Sequence, residues 1–494
     1  MGQDIDQEEF SAEDFERYAG RLQDGLVALE RVLERPDFGR GAPSIGAELE
    51  FFLVDERGDP LGRNENVLAV AGDDRLTVEL DRFNLECNAS PQPLSGRPFT
   101  ALRQELDLLV GKLQAAAGHE GGRVVMVGIL PTLRESDFSA NAETMTDVPR
   151  FRALSRSVRR LRRERFDIRI DGDEPLTFFA DDVTVEGANT GFQAHLRVEP
   201  ADFAEVYNAI QMTTAPVLAA ATNSPTFLGR RLWRETRIAL FKQAVDERRE
   251  SWEAWRPPRV SLGNGWLRES AFELFQESVA LHAPLLPVMG DEDPLGCTRG
   301  GGVPRLDEVR LHHGTVWRWN RGIYDPTAGG HLRIELRSLP AGPSVVDMLA
   351  NAALHLGLAL GLRAEAPWMT TALPFKYAER NLYRAAQQGL AATLLWPSRR
   401  PPSPRPVSAA DLLLELLPVA RRGLEVGGVE AGEATELLAI VEERVRRGRT
   451  GADWQLGSLA RHEERLGRAD ALRAMLADYL EAQATGEPVH TWEV

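Results

Sequence analysis

The sequence predicts a mixed α/β or α+β protein built on one large sheet, with an all-helical C-terminal part. Three observations carry this. Strand-like and helix-like apolar patterns alternate up to about residue 362. Four of the strand-like stretches put Glu, His, Gln or Arg in pairs on one face, which points to a sheet whose concave side holds a site. Beyond a Pro/Arg/Ser-rich stretch, Trp396–Pro406, only helical spacing remains.

The elements follow in order. Ser11 and Asp14 have capping-box spacing, and Phe15, Tyr18, Leu22, Leu26, Leu29 and Leu33 repeat at helical spacing up to Pro36. Gly46–Asp55 reads as a strand that ends in a turn at Asp55-Glu56-Arg57-Gly58-Asp59-Pro60. Leu76–Cys87 is extended, Leu102–Leu113 helical, and Arg123–Leu130 a short apolar strand. The run from Arg156 to Arg165 is strongly basic, either a solvated helix face or a loop over an anionic ligand. A strand is expected at Thr190–Val198, with helices at Asp202–Ala221, Leu232–Glu250 and Glu269–Leu281. Gly290–Pro304 reads as a glycine-rich loop whose Gly300-Gly301-Gly302 either lies on the surface or cradles a phosphate. Strands are expected at Val316–Asn320 and His331–Leu339, and a buried helix at Val345–Leu362. Residues 1–390 are expected to form the catalytic part, and residues 391–494 a helical appendage with helices at Ala409–Arg421, Ala434–Arg447 and Leu456–Ala482.

Composition narrows the function. A net charge of −16 over 494 residues argues against a general nucleic-acid binder. Of 58 basic residues only Lys112, Lys242 and Lys376 are lysines, so any gripping of carboxylates or phosphates falls to arginine. Cys87 and Cys297 are too few for a disulfide framework or a cysteine zinc site. The acidic Met1–Asp6 has no apolar core of a signal peptide, and Val345–Leu362 carries Asp347, Asn351 and His355. A cytoplasmic protein that engages no membrane is the expectation.

Glu48 and Glu50 lie two apart inside an apolar strand, so their carboxylates leave one face roughly 6.5–7 Å apart. Two like charges there call for a divalent cation between them, or for an edge strand with a wet face. Glu79 and Glu86 flank an irregular middle in the next extended region. Gln193, His195 and Arg197 share one face of their strand; His331, Arg333, Glu335 and Arg337 share one face of theirs. Carboxylates with a histidine suit Mg²⁺, and arginines suit a transferring phosphoryl group or a substrate carboxylate. The sequence holds no nucleophile elbow, no H-E-x-x-H, no Walker A and no G-x-G-x-x-G. Metal-assisted phosphoryl transfer without a P-loop is the chemistry that remains. His312-His313 offers at most one ligand if the pair is extended, and Trp317 and Trp319 are core residues or flank a nucleotide base.

Gly46-Ala47-Glu48-Leu49-Glu50, then Glu79 and Glu86 seven apart, then Gln193-Ala194-His195, resemble the glutamate–cysteine ligase family. So do Asn223-Ser224-Pro225, His313-Gly314-Thr315 with Arg321, and Arg333-Ile334-Glu335-Leu336-Arg337. More broadly the pattern is similar to the glutamine-synthetase-like carboxylate–amine ligases, over roughly residues 45–362. The resemblance implies a curved, mostly antiparallel sheet lined by metal-binding acids. It implies ATP and Mg²⁺ (or Mn²⁺), activation of a carboxylate such as that of glutamate as an acyl phosphate, and attack by an amine such as cysteine. By resemblance Glu48, Glu50, Glu79, Glu86 and Glu335 are metal ligands, and His195 a metal or nucleotide ligand. Arg337 steadies the phosphates, and Arg259 is a second active-site arginine. Gln193, His195, Arg321 and Arg333 are assigned to the nucleotide side. The amine pocket has no recognisable signature, and Phe166–Glu186 does not align. Two other readings stay open: a guanidino-type phosphotransferase of the same fold, and a degenerate nucleotide-binding scaffold. Oligomeric state is not legible, and a homo-oligomer is left open.

Overall fold

One strand, β1 (Ser44–Asp55), is the axis of the main sheet. Its apolar run pairs on both sides, so neither edge of it meets water. The computed structural model describes residue 5 and residues 7–138, 143–249 and 255–494. Along the chain the other strands of this sheet are β2 (Leu76–Val78), β3 (Asn84–Asn88), β4 (Gln92–Pro93), β5 (Gly122–Val125), β6 (Phe192–Val198), β7 (Asn320–Asp325) and β8 (His331–Leu336). The order is β7-β8-β6-β1-β3-β2, with β4 and β5 also on β1, and every pairing is antiparallel. The sheet curls into a half-barrel, so the expected curved antiparallel sheet is what the chain forms.

Register aligns the polar positions. Arg321 of β7 stands opposite Glu335 of β8, Glu335 opposite His195 of β6, and His195 opposite Gly46 of β1. Glu50 of β1 stands opposite Glu86 of β3. Because directly opposed residues share a face, these side chains line one side of the sheet. The other side is closed by the helix Phe203–Ala221. From it Tyr207 donates to the Asn320 carbonyl (2.9 Å), while Gln211 and Thr214 accept from Asn320 Nδ2 (2.6 and 2.9 Å).

Behind that helix lies Val345–Leu362, buried along almost its whole length, as expected of a core helix rather than a membrane span. Of the C-terminal helices, Ala409–Val426 and Ala431–Arg447 pack against it, while Gly451–Glu463 and Arg468–Ala484 pack on each other and the latter reaches the Met126 carbonyl through Tyr479 and Gln483 (2.8 Å each). A Cβ on Gly423 would stand 1.9 Å from the Gly357 carbonyl oxygen, so the crossing of these two helices requires glycine there. Arg444 reaches in from the third-to-last helix to Asp347 (2.6 Å), both fully buried.

Several expected elements differ. The helix expected over Leu232–Glu250 is confined to Arg237–Ala244; Leu232, Arg234 and Glu235 donate their N–H groups to Pro225, Gln387 and Ala386 instead of to a helical turn. Glu250 lies outside the described residues. Val316–Asn320 turns, through Arg318 N–H to Val316 O, and the strand begins only at Asn320. His312 and His313 sit in a helix, Asp307–Gly314, not in extended chain. Gly290–Pro304 contains a short helix, Pro294–Arg299, started by the Asp293 side chain. The Pro/Arg/Ser stretch is the turn between two paired strands, Thr393–Trp396 and Arg405–Ser408. Leu456–Ala482 is two helices, broken around Leu466-Gly467. The basic run forms the helix Pro149–Arg162, with Arg152 paired to Glu8 and Arg162 buried against the Asp246 and Arg165 carbonyls.

Candidate active site

The concave face carries a continuous hydrogen-bonded chain across four strands. On β1, Glu50 accepts from the Gly191 N–H (2.5 Å) and from Gln193 Nε2 (2.8 Å). The Gln193 amide oxygen accepts from Arg337, whose Nη1 also lies 3.3 Å from Glu335 Oε2. Glu335 is gripped from the other side by the Arg321 fork, Nε to Oε2 at 2.7 Å and Nη2 to Oε1 at 3.1 Å. Two guanidinium groups thus hold one carboxylate that is 2% exposed. Burial opposes its ionisation, but Arg321, Arg337 and His195 outweigh that and hold Glu335 well below the ordinary carboxylate range.

Next along the row, His195 Nε2 lies 3.1 Å from Glu48 Oε1 and 3.9 Å from Glu335 Oε1. Ligand atoms of Glu48, His195 and Glu335 all fall within 4.8 Å of one another. Burial raises and the His195 charge and hydrogen bond lower the Glu48 carboxyl, which ends at about 2. Arg333 donates to His195 Nδ1 (3.3 Å) and pairs with Asp325 (2.6 Å), so it stands at the outer end of the row.

The opposite end is acid without enough base. Burial, then the Glu79 carboxylate, pushes Glu50 up to about 7. Burial raises Glu79, and burial with Glu48, Glu79 and Glu50 raises Glu86 well above the ordinary range. Glu79 accepts from the Leu80 N–H (3.2 Å) and Glu86 from Asn88 Nδ2 (2.8 Å).

The structure therefore brings Glu48, Glu50, Glu79, Glu86, Gln193, His195, Arg321, Arg333, Glu335 and Arg337 to one face. It does not bring Arg259. That residue is wholly buried away from these side chains, paired with Glu247 (2.9 Å) and donating to the Thr315 (3.2 Å) and Ala283 carbonyls. His312 and His313 are also spent on core contacts, with Ser278 and the Gly322 carbonyl. Trp317 and Trp319 pack edge-on against Phe241, which is the core role.

Sequence reasoning missed Glu186, Asp81 and Arg237. Glu186 sits in the six-residue 3₁₀ segment Val183–Ala188, too short for any periodic signal, and burial with Glu79 and Glu50 pushes its carboxyl well up. Asp81 is fully buried in the turn between β2 and β3. Arg237 pairs with Glu235 (3.3 Å) and donates to the Ser338 and Leu339 carbonyls, so it buttresses the strand end that carries Arg337.

A curled antiparallel half-barrel lined by acids and arginines, with helices behind it, places the protein among the glutamine-synthetase-like folds. The chain belongs to glutamate-cysteine ligase family 2, whose sequence model matches residues 44–471. Over 119 residues it is 36% identical to a putative glutamate–cysteine ligase 2-1 of Nocardia farcinica, and over 113 residues 34% identical to a putative glutamate–cysteine ligase 2-2 of Mycolicibacterium vanbaalenii. These stretches cover 24% and 23% of this chain, and the chain spans 28% and 29% of the two relatives. The glutamate–cysteine ligase of Francisella tularensis, solved in complex with AMP, superposes over 93% of this chain and 96% of its own with a TM-score of 0.55. At 12% identity that likeness is one of fold.

Proposed function

We propose that the protein is an ATP-dependent carboxylate–amine ligase that joins an amino-acid carboxylate, the γ-carboxylate of glutamate first among candidates, to an amine such as cysteine through an acyl phosphate. Family membership supports the reaction class. The observation that carries the reading is the row Arg321–Glu335–His195–Glu48, buried at its centre, with Arg337 beside it. It sets fixed guanidinium groups next to a carboxylate–imidazole cluster, as phosphoryl transfer requires.

The cluster fits a divalent cation. His195 Nε2 lies 3.1 Å from Glu48 Oε1 and 3.9 Å from Glu335 Oε1, one imidazole between two carboxylates whose ligand atoms all fall within 4.8 Å of one another, a donor set that a divalent cation would bridge. Oxygen donors with one imidazole suit Mg²⁺ or Mn²⁺, with Glu48, His195 and Glu335 as one set and Glu50, Glu79 and Glu86 as acids available to another. Such an ion, when bound, would neutralise phosphate charge and polarise the phosphoryl group. The chain's own part is separate. Arg337 is held by Gln193 and Glu335 in one orientation and stabilises negative charge as it develops, first on the phosphoryl oxygens and then on the tetrahedral intermediate. Arg321 keeps Glu335 ionised and fixed, and Gln193 couples Glu50 to Arg337.

In the same reading, residues up to about 390 do the chemistry and the C-terminal helices support them, and the enzyme works in the cytoplasm on small molecules. The test is release of ADP and phosphate from Mg²⁺-ATP with glutamate and a panel of amines. ADP without free phosphate would instead indicate phosphoryl transfer to the acceptor, and no ADP with any pair would refute the ligase reading.

A further inference from the structure

Glu50 is held by a residue that just precedes β6. Gly191 donates its N–H to Glu50 Oε2 (2.5 Å), and its own place is set by a stretch of loop on either side. On one side Thr190 donates its N–H to the Gly128 carbonyl (3.0 Å) and its hydroxyl to the Val127 carbonyl. On the other side the Thr190 carbonyl accepts from the Ala341 N–H (3.2 Å), and the Phe192 N–H donates to the Leu339 carbonyl (3.0 Å). Both loops begin where the sheet stops. β5 ends at Val125, opposite Phe52 of β1, and β8 ends at Leu336. Their positions therefore have to be fixed from outside the ladder.

Buried polar side chains fix them, most of these from the helices Gly451–Glu463 and Arg468–Ala484. Asn223 is the hub. Its carbonyl accepts from the Gly128 N–H (3.3 Å), and its Nδ2 donates to the Ala341 carbonyl (2.7 Å) and to the Tyr479 hydroxyl (2.9 Å). Tyr479 donates onward to the Met126 carbonyl (2.8 Å). Gln483 grips Met126 at both backbone groups, donating to the carbonyl (2.8 Å) and accepting from the N–H (3.2 Å), and also reaches the Pro343 carbonyl (2.6 Å). Gln455 donates to Asn223 Oδ1 (2.8 Å). The fit leaves no slack. Gly342 has φ +74°, and a Cβ on it would stand 2.1 Å from the Met126 carbonyl oxygen and 2.8 Å from the Tyr479 hydroxyl. A Cβ on Gly451 would stand 2.1 Å from Asn223 Oδ1. Apolar packing alone would hold two helices against the body. Buried amides and a hydroxyl that must each meet a particular loop group also fix where the loops lie.

We propose that Tyr479 and Gln483 are positioning residues for Glu50, so that the last two long helices complete the acidic half of the cleft. The inference rests on the ligase reading, in which Glu50 is an acid available to a divalent cation. The connection is short. Tyr479 and Gln483 fix Met126; two residues on, Gly128 fixes Thr190; the next residue, Gly191, fixes Glu50. Gly191 holds one Glu50 oxygen and Gln193 the other, which leaves the remaining lone pairs in set directions. A ligand oriented in advance by its hydrogen-bond partners binds a cation more tightly than one that must be reoriented.

The probe is Mn²⁺, titrated into the full-length protein without nucleotide and followed by electron paramagnetic resonance. Tyr479→Phe keeps the ring contacts with Trp454 and Trp492 (centroids 5.7 and 5.3 Å apart) and removes only the hydroxyl. It is expected to weaken Mn²⁺ binding about tenfold, the lower end for residues that orient a metal ligand. In a Glu50→Gln background the same change should shift Mn²⁺ affinity by less than about twofold, because the ligand it positions is already gone. In a Glu335→Gln background the full effect should remain. Leu472→Ala, a core truncation in the same helix, should lower the thermal midpoint further yet leave the Mn²⁺ affinity of the folded protein unchanged. Gln483→Leu carries the same comparisons should Tyr479→Phe not fold. Unchanged Mn²⁺ affinity in the variant, an equal loss in Leu472→Ala, or an undiminished effect in the Glu50→Gln background would each overturn the assignment. So would a wild-type protein that binds no Mn²⁺. Failure of the ligase reading shows separately, as a wild-type protein that binds Mn²⁺ but releases no ADP with any carboxylate and amine.

Discussion

Arg337 lies two residues beyond Glu335, just past the end of β8, and its Nη1 is 3.3 Å from Glu335 Oε2 while it also donates to the Gln193 amide oxygen. Both contacts fix the guanidinium before any substrate arrives. A preorganised donor of this kind acts on charge that appears in the transition state, so its loss shows in kcat more than in KM.

Arg337→Lys is therefore expected to lower kcat by on the order of 10²-fold or more, with a much smaller change in KM for ATP. Lysine keeps the charge but cannot span Gln193 and Glu335 with a planar fork. Steady-state kinetics decides the matter: a raised KM with kcat preserved would make Arg337 a uniform binding contact.

Glu335→Gln is expected to abolish turnover in a folded protein. Glutamine preserves volume but removes the charge that Arg321, Arg337 and a bound cation all need. The Arg321 fork is left on a neutral amide, so a modest fall in thermal midpoint should accompany the loss. Circular dichroism checks the fold, and ADP production at the wild-type rate would remove Glu335 from the chemistry.

Mg²⁺ binding should strengthen as pH rises through about 7. Glu50, raised from an ordinary 4.5 to about 7 by burial and Glu79, binds its proton more tightly folded than unfolded. Its contribution to stability is therefore fully present below 4.5 and is lost as pH climbs through about 7. Glu79 and Glu86 shift in the same direction, while Glu48 and Glu335 shift down and favour the fold at higher pH. A cation needs the ionised forms, so its binding releases protons and offsets the loss. Thermal unfolding with and without Mg²⁺, at about pH 6 and about pH 8, should show a larger Mg²⁺-induced rise at the higher pH. An equal rise at both would contradict the titration assigned to Glu50.

The fold and the row of site residues were legible where side chains obey a period. Glu48 with Glu50, Gln193 with His195, and Arg333 with Glu335 and Arg337 all stand two apart on strands, and a period of two declares a shared face from sequence alone. Register was not legible, because nothing local says that Glu335 will lie opposite both His195 and Arg321; that is set by long-range pairing. Glu186 and Asp81 were missed because they sit in a short 3₁₀ segment and a tight turn, where a side chain's surroundings come from packing rather than from repeat. His312 and His313 were misplaced because a short helix and a strand of mixed apolar and polar residues look alike over eight positions. Arg259 was assigned by resemblance alone, and its burial depends on Glu247, a partner twelve residues away that no motif connects to it.

That last residue supports a prediction that separates architecture from chemistry. Arg259 is 0% exposed, its Nε is 2.9 Å from Glu247 Oε1, and its other nitrogens serve the Thr315 and Ala283 carbonyls. Thr315 closes the helix Asp307–Gly314 just before β7, so the pair braces the entry to the strand that carries Arg321. Arg259→Ala leaves Glu247 as a buried charge without its partner, a defect that costs about 3–5 kcal/mol. The expected result is a large fall in the urea midpoint, with kcat per folded molecule close to the wild-type value. Pairing Arg259→Met with Glu247→Leu removes both charges together and should recover much of the stability, because well-packed apolar replacements of a buried ion pair are often neutral or better. An active-site arginine would behave in the opposite way: the double variant would fold well and remain inactive. Active-site titration of the folded fraction, alongside the denaturation curves, distinguishes the two, and an inactive but stable double variant would return Arg259 to the catalytic set.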